Sequence, residues 1–529
     1  METTNHPSSS LRWLVPAALA LALAVRLPTF VATDFPINDG AMFFSMVRDL
    51  IASDLRLPAF TTYNGGTIPF AYPPLGLYLA AVLAKLGIAD PAALVRYLPL
   101  LANLATIAAF CFLALELLGR GRAAAFACLL FPLLPYSFQW VTMGGGVTRS
   151  FGFLFALLTA MWAHRAAVRG DPWHAAAAGG ATAAAVLSHP EAGLFACATL
   201  ALMFLLYRRD RAGLLQLLLV AASVVALTAP WWGMVLARHG PGPFLAASRT
   251  SEWSLSFVVA LGMLALTAEP LLSVTGVLAA LGLFAELARG RWLLPAWTVL
   301  TLAVVPRSAH TPLTMPFSLA AGVALAEVIL PALDAFARGC LGHDGGGIRR
   351  RLLAGFRRAV PPVLAGWVLG YGILSNWTNF NLGRAGTRCL MPPERIAMAW
   401  VAAHTPPAST FVVVSAPASW FADAALEWFP TLSARRCLNT VQGAEWLPGG
   451  EYARRQELYA ALKPCTDPGC LERAAARQRS RFSHVYVSKT QTGPFAVAPL
   501  WQAMLETPGW QLAFDNGGAS VFARIGGTG

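Results

Sequence analysis

Charge is what this sequence is short of. Only 12% of its 529 residues are charged and 56% are hydrophobic, with a mean hydropathy of +0.56, whereas soluble globular chains carry about 25% charged residues. That deficit excludes a single water-soluble globule and points to lipid, because bilayer-facing helices need no polar outer surface. Lysine is scarcer still: Lys85, Lys463 and Lys489 are the only three, so 36 of the 39 basic residues are arginine. Genomic base composition can produce such a skew, so an arginine is not counted as a phosphate ligand for its type alone. No P-loop, GxSxG or HExxH pattern occurs, which leaves ATP hydrolysis, serine-hydrolase chemistry and zincin chemistry without support. A clear internal repeat is also missing, and little charge falls at span midpoints, both of which a transporter or flippase would be expected to show.

What is present is a net charge of +13 with a telling distribution. Arginines cluster between apolar runs: Arg120 and Arg122, Arg165 and Arg169, Arg208 to Arg211, Arg289 and Arg291, and Arg349 to Arg358. That is the positive-inside signature of cytoplasmic loops rather than a nucleic-acid surface. A span needs roughly 20 apolar residues. Segments 12–32, 96–118, 122–140, 149–168, 173–188, 191–207, 212–236, 270–288, 292–306, 312–333 and 360–377 qualify as about eleven crossings. With the arginine clusters inside, the N-terminus is cytoplasmic and the C-terminal part is extracytoplasmic. Residues 13–32 read as a retained first helix, since no clean small-residue cleavage site follows before Asp34. Two further apolar stretches, 74–88 and 254–268, would break the parity if they crossed alone and are expected to be interfacial or re-entrant.

The expected architecture is a polytopic α-helical membrane domain over 1–384 with a small soluble α/β domain over 385–529. Within the first part, an outer loop at 33–95 carries juxtamembrane helices, and a basic cytoplasmic connector spans 334–359. Gly40–Leu55 is amphipathic, with Phe43, Met46, Val47, Leu50 and Ile51 opposite Ser45, Arg48, Asp49 and Ser53, as suits a helix lying flat on the membrane. In the C-terminal part, β-like runs at Phe411–Ser415, His484–Ser488 and Ala519–Ile525 alternate with charged helical faces, which favours an α/β layer. Of eight cysteines, Cys111, Cys128, Cys197 and Cys340 sit in or beside apolar segments and read as packing residues. Cys389, Cys437, Cys465 and Cys470 fit disulfide chemistry in an oxidising compartment, with Cys465 and Cys470 spaced to close a turn.

The polar residues of the membrane part gather on the outer side. Asp39 opens the amphipathic segment, where it fits either a base that accepts a hydroxyl proton or a ligand for a divalent ion. Asn38 or Asp39 equally fits the cap of that helix. In Ser188-His-Pro-Glu191, His189 and Glu191 suit metal ligation or the positioning of a phosphate-bound ion, and equally a proline turn with a favourable acid in the next helix's first turn. Arg149 and Arg307 match phosphate geometry through paired hydrogen bonds, and both also suit anchoring to lipid headgroups. Gly144, Gly145 and Gly146 would let backbone N–H groups approach an anion.

Several of these stretches together resemble the GT-C superfamily of integral-membrane glycosyltransferases, including the RgtA/B/C/D-like, PMT and ArnT-type proteins. The residues concerned are Asp34-Phe-Pro-Ile-Asn-Asp39, Phe70-Ala-Tyr-Pro-Pro-Leu-Gly-Leu-Tyr78, Arg96, Gly119-Arg-Gly-Arg-Ala-Ala124 and Gly144-Gly-Gly-Val-Thr-Arg149. The likeness covers roughly the first 330 residues in layout. It implies sugar transfer from a polyprenyl-phosphate donor to a glycan, lipid or protein acceptor at the outer face of the cell membrane. It places the acidic residue that acts as base or helps bind a metal at Asp39, less firmly at Asp34, and the donor phosphate near Arg149, Arg307 and His310. Asn38, Asp34, His189 and Glu191 are left for acceptor or metal positioning. A divalent cation, Mg2+ or Mn2+, is the only cofactor implied. Many relatives carry two adjacent acids where this chain has Asn38 beside Asp39, so the cation is open. A saccharide flippase and a non-catalytic envelope scaffold are the rival classes. Glu427-Trp-Phe-Pro430 and Gln442-Gly-Ala-Glu-Trp446 resemble outer domains of bacterial members, and their aromatics suit sugar stacking or core packing.

Overall fold

A computed structural model describes residues 13–250, 267, 269, 272–341, 347–377 and 389–526. The membrane part is built from helices α1 (Leu14–Ala32), α2 (Ala41–Ala52), α3 (Leu75–Lys85), α4 (Pro91–Leu117), α5 (Arg122–Leu130), α6 (Gly146–Arg169), α7 (Pro172–Val186), α8 (Pro190–Tyr207), α9 (Arg211–His239), α10 (Gly242–Ser248), α11 (Val274–Ala288), α12 (Leu293–Val304), α13 (His310–Val323), α14 (Leu330–Leu341) and α15 (Gly347–Asn376). Each of the eleven expected crossings carries a helix. Seven helices among the described residues are long and apolar enough to span a bilayer, α13 and α14 counting as one through a π-turn at Ala324–Ile329. The 122–140 segment is the least regular: α5 has nine residues and gives way to two short 3-10 turns. The stretch 74–88 is the short helix α3, at about 1.5 Å per residue too short to cross. The expected interfacial stretch 254–268 lies outside the described residues apart from Thr267, and the expected domain boundary near 384 also lies outside them.

Arg26 of α1 is buried in the membrane part and tied entirely to neutral acceptors. Its Nε donates to Asn103 Oδ1 at 2.7 Å, Nη1 to the carbonyls of Pro132 and Ala22, and Nη2 to Ser137 Oγ. Its guanidinium also lies 4.4 Å from the Phe138 ring. These bonds pin α1 against α4 and the irregular chain after α5, and they satisfy a cation that lipid could not.

The C-terminal unit contains α16 (Pro392–His404), α17 (Ala424–Ser433), α18 (Glu451–Leu462), α19 (Pro468–Arg477) and α20 (Ala498–Glu506). They pack on a five-stranded sheet in which β3 (Thr410–Val414), β4 (Arg436–Cys437), β5 (His484–Ser488), β6 (Trp510–Asp515) and β7 (Ala519–Arg524) run in the order β4-β3-β5-β7-β6. The ribbon β1 (Phe60–Thr61) and β2 (Ile68–Pro69) belongs to the first loop. β3 is parallel to both β4 and β5, while β7 is antiparallel to β5 and β6. Val412, Val413 and Val414 make β3 a buried central strand, as a β-branched run favours.

The expectation for Gly40–Leu55 needs correcting. Helix α2 does not lie flat with its polar face in water. It is sandwiched between the membrane helices and α17, and Ser45 and Asp49 are buried with Met42, Met46 and Leu50. Asp49 accepts from the Thr61 and Thr62 hydroxyls and the Thr62 N–H at 2.7–2.9 Å, and Ser45 bonds Thr431 at 2.9 Å. Of that polar face, Arg48 stays exposed.

Cys465 and Cys470 form the disulfide, and the other six cysteines are free thiols, Cys389 and Cys437 among them. The bridge should add about 2 kcal/mol by constraining the unfolded chain over a short loop. Alkylation of the denatured, unreduced protein should therefore modify six thiols, and eight after reduction. The double variant Cys465→Ser/Cys470→Ser should unfold at lower temperature; eight thiols without reduction would refute the bridge.

Candidate functional site

The first loop turns into α2 through residues 37–40, where the Ile37 carbonyl, the Asn38 carbonyl and the Gly40 N–H are each matched by a group far off in the sequence. Asn38 has φ 56° and Gly40 φ 123°. A Cβ on Gly40 would come within 2.8 Å of the Gly144 backbone, and one on Gly144 within 2.0 Å of the Asp39 carbonyl oxygen. Only glycine permits this crossing. It brings the start of α6 against Asp39, whose carboxylate accepts the Gly145 N–H at 2.9 Å and Arg149 Nη2 at 2.6 Å. The glycines thus present a backbone N–H to an anion as expected, and that anion is the protein's own Asp39.

Neither Asn38 nor Asp39 caps α2. Its first N–H groups, on Gly40 and Ala41, donate to Glu427 Oε1 of α17 at 2.8 and 3.2 Å. Trp428 Nε1 donates to the Asn38 carbonyl at 2.9 Å, and the Asn38 side chain donates to the Phe421 carbonyl at 2.7 Å. Burial, and after it the nearby Asp39 carboxylate, hold the Glu427 carboxyl well above the usual range. Glu427 was not among the expected site residues. Its only sequence signal is the motif Glu427-Trp-Phe-Pro430, which marks an acid in the first turn of a helix and nothing about a second helix.

Beside the Asp39–Arg149 pair lies a small, partly open cavity walled by Arg149, His189, Glu191 and Ser308 together with Trp140, Phe153 and Phe195. The N-terminal ends of three helices reach it: Arg149 lies in the first turn of α6, His189 caps α8 with Glu191 in its first turn, and Thr311 and Pro312 begin α13. Helix N-termini favour anions. Arg149 adds a charge over the Trp140 ring at 4.5 Å, and its buried Nε has no hydrogen-bond partner. Burial first, then the charges of Arg149 and Arg307, drive the His189 imidazole down to about 3, so it stays neutral across physiological pH.

Asp39, Arg149, His189 and Glu191 are therefore brought together, with Asp39 behind Arg149 rather than in the cavity wall. The remaining expected residues are placed differently. Asp34 is exposed and ion-paired with Arg395 of α16. Arg307 donates to the Thr250 hydroxyl at 2.8 Å, while its neighbour Ser308 reaches the wall. His310 lies 4.6 Å from the Tyr136 ring. Among the described residues no three His, Cys, Asp or Glu side chains form a metal-binding group. Both Asp39 oxygens are engaged by donors, which leaves His189 and Glu191 as two ligands. Were the Mg2+ or Mn2+ expected from the family likeness bound here, Glu191 and His189 would be its protein ligands, with waters and substrate phosphate completing its shell.

No protein-family model and no curated protein matches the chain. Solved structures do. AftD from Mycobacteria, an arabinofuranosyltransferase, is 17% identical with a TM-score of 0.58, over 97% of this chain and 40% of its own. The oligosaccharyltransferase AglB from Archaeoglobus fulgidus, solved with an inhibitory peptide and a dolichol-phosphate, is 13% identical with a TM-score of 0.56, over 91% of this chain and 69% of its own. ArnT from Cupriavidus metallidurans, bound to undecaprenyl phosphate, is 16% identical with a TM-score of 0.54, over 98% and 99%. The fold is that of the GT-C membrane glycosyltransferases, and the chain is a multi-pass membrane protein of that architecture.

Two outcomes follow from this geometry. Glu427→Ala should cost about 1–2 kcal/mol through loss of the α2 cap, read as a lowered thermal midpoint, with Glu427→Gln retaining most of the stability; equal midpoints for wild type and Glu427→Ala would refute the cap. The unfolded His189 imidazole takes a proton below about 6.5, the folded one only near 3. Stability must then fall as pH drops below 6.5 toward 3. His189→Asn, which preserves a helix cap, should flatten that slope in thermal melts; an unchanged slope would show that other groups set it.

Proposed function

We propose that this protein is an inverting glycosyltransferase that uses a polyprenyl-phosphate sugar as donor, working at the extracytoplasmic face of the cell membrane. One observation carries the reading: Arg149, whose Nε is buried and partnerless, and three helix N-termini meet at one apolar-walled cavity. An anionic head with an apolar body is the ligand such walls select, and AglB and ArnT were solved with polyprenyl phosphates.

In this reading Arg149 holds Asp39 through Nη2 until the donor arrives and then turns its guanidinium onto the donor phosphate. Three helix N-termini and Arg149 stabilise the charge that develops on the departing phosphate. The acceptor hydroxyl oxygen bonds to the anomeric carbon, the bond from that carbon to the phosphate oxygen breaks, and polyprenyl phosphate leaves with the electron pair. The hydroxyl proton passes to Asp39, whose Oδ2 is released as Arg149 turns toward the phosphate. Glu191 and the neutral His189 orient the acceptor. Arg307 and His310 remain proposed second-rank phosphate contacts.

Purified protein should transfer label from at least one member of a panel of radiolabelled polyprenyl-phosphate sugars. Asp39→Asn should lower turnover at least ~100-fold, as loss of a general base does, with undecaprenyl phosphate affinity within about threefold of wild type. Arg149→Lys, which loses the planar fork, should weaken that affinity. Normal turnover in Asp39→Asn removes Asp39 from its role, and unaltered affinity in Arg149→Lys removes the phosphate site.

A further inference from the structure

The turn Ala444–Trp446 follows β4 and is pressed onto the first loop. A Cβ on Gly443, which has φ +85°, would meet the Ile68 side chain at 2.6 Å. Two neighbouring side chains on this turn each keep a buried polar atom without a partner: Glu445 Oε2, an acceptor, and Trp446 Nε1, a donor. Trp446 is 3% exposed, so water does not answer its N–H from the surface. Leaving buried polar atoms unpaired is costly, and two adjacent ones of opposite type call for a ligand.

Their position says which ligand. The Tyr72 ring stands 5.6 Å from Trp446 and 6.1 Å from His189 in the cavity wall. On the other side, Phe244 lies 6.4 Å from Trp446, and Trp231, whose Nε1 is also buried and unpartnered, lies 5.8 Å from Phe244. Arg307 directly precedes Ser308 of the cavity wall, and its charge acts on Glu445 as well as on His189. An acceptor oxygen, indole donors and aromatic faces are the complement of a sugar, which offers hydroxyls at its edge and C–H groups on its face.

We infer that Glu445 Oε2 and Trp446 Nε1 form a saccharide-hydroxyl subsite beside the phosphate cavity, contributed by the C-terminal unit. The inference rests on the glycosyltransferase reading above and adds what that reading lacks, the groups that recognise the sugar. Glu445 accepts from one ring hydroxyl, and Trp446 donates to its neighbour. Glu445→Gln changes the charge and keeps the shape. Trp446→Phe keeps an aromatic face and removes the N–H.

The test is equilibrium binding to the full-length protein in nanodiscs. The probes are undecaprenyl phosphate, undecaprenyl phosphate carrying glucose, mannose, galactose, arabinose or xylose, and the methyl glycosides of the same sugars with undecaprenyl phosphate saturating. For whichever sugar the wild type binds best, each variant should weaken binding about tenfold while undecaprenyl phosphate itself stays within twofold. Loss on the lipid-linked sugar assigns the subsite to the donor; loss confined to the methyl glycoside assigns it to the acceptor, and both uphold it. Unchanged sugar affinity, an equal loss for plain undecaprenyl phosphate, or a wild type that binds no sugar overturns it. Failure of the wild type to bind undecaprenyl phosphate would instead strike the proposed function, and the methyl glycosides, then offered alone, would still report on the subsite.

Discussion

A buried carboxylate must be answered by donors, and Asp39 is answered by two that come from the start of a single helix. The Gly145 N–H and Arg149 Nη2 hold its two oxygens. The ion pair forms only because Gly40 and Gly144 let two backbones cross at a separation that no side chain permits. Removing either charge would leave the other stranded in a poorly solvated place, which is far more damaging than losing a surface pair. The position of the cavity, the orientation of Arg149 toward it and the entry angle of α2 all follow from this crossing.

The C-terminal unit is joined to that crossing rather than hung beside it. Glu427 supplies the cap that α2 lacks in its own sequence, Tyr63 donates to the Glu427 carbonyl at 2.8 Å, and Asn64 exchanges two hydrogen bonds with the Cys437 backbone. Ile37 bridges Cys389 in the same region. Trp428, one of the aromatics suited to sugar stacking from its motif, is fully buried against Phe35 and serves packing. The unit is thus fixed against the crossing, and the α/β layer and the helical bundle share one hydrophobic cluster containing Met42, Tyr63 and Trp428.

Much of this was legible because lipid imposes a strong local signal. Apolar runs and arginine clusters marked the crossings, β-branched runs marked β3 and β5, and the spacing of Cys465 and Cys470 marked a bridge. Asp39 and Arg149 stood out singly, by residue type and glycine context. Their pairing did not, since the bond spans 110 positions and depends on a steric crossing rather than a pattern. Helix α2 misled for a physical reason: an amphipathic period reports two kinds of face, not what each face meets, and the polar face of α2 meets Thr61, Thr62 and Thr431 instead of water. Arg26 was hidden for the opposite reason, as a lone cation inside an apolar run satisfied by carbonyls and amides.

The cap that closes α2 lies 387 positions downstream of the residue it caps. At ribosomal rates of about 5–20 residues per second, on the order of 20–80 s separates the emergence of Gly40 from that of Glu427. During that interval the membrane helices can insert and pack, but the start of α2 has no acceptor for its amides. The start of α2 is consequently fixed only after the membrane helices and the first part of the C-terminal unit have been made, so the folding of the two is linked in time through one hydrogen-bonded carboxylate.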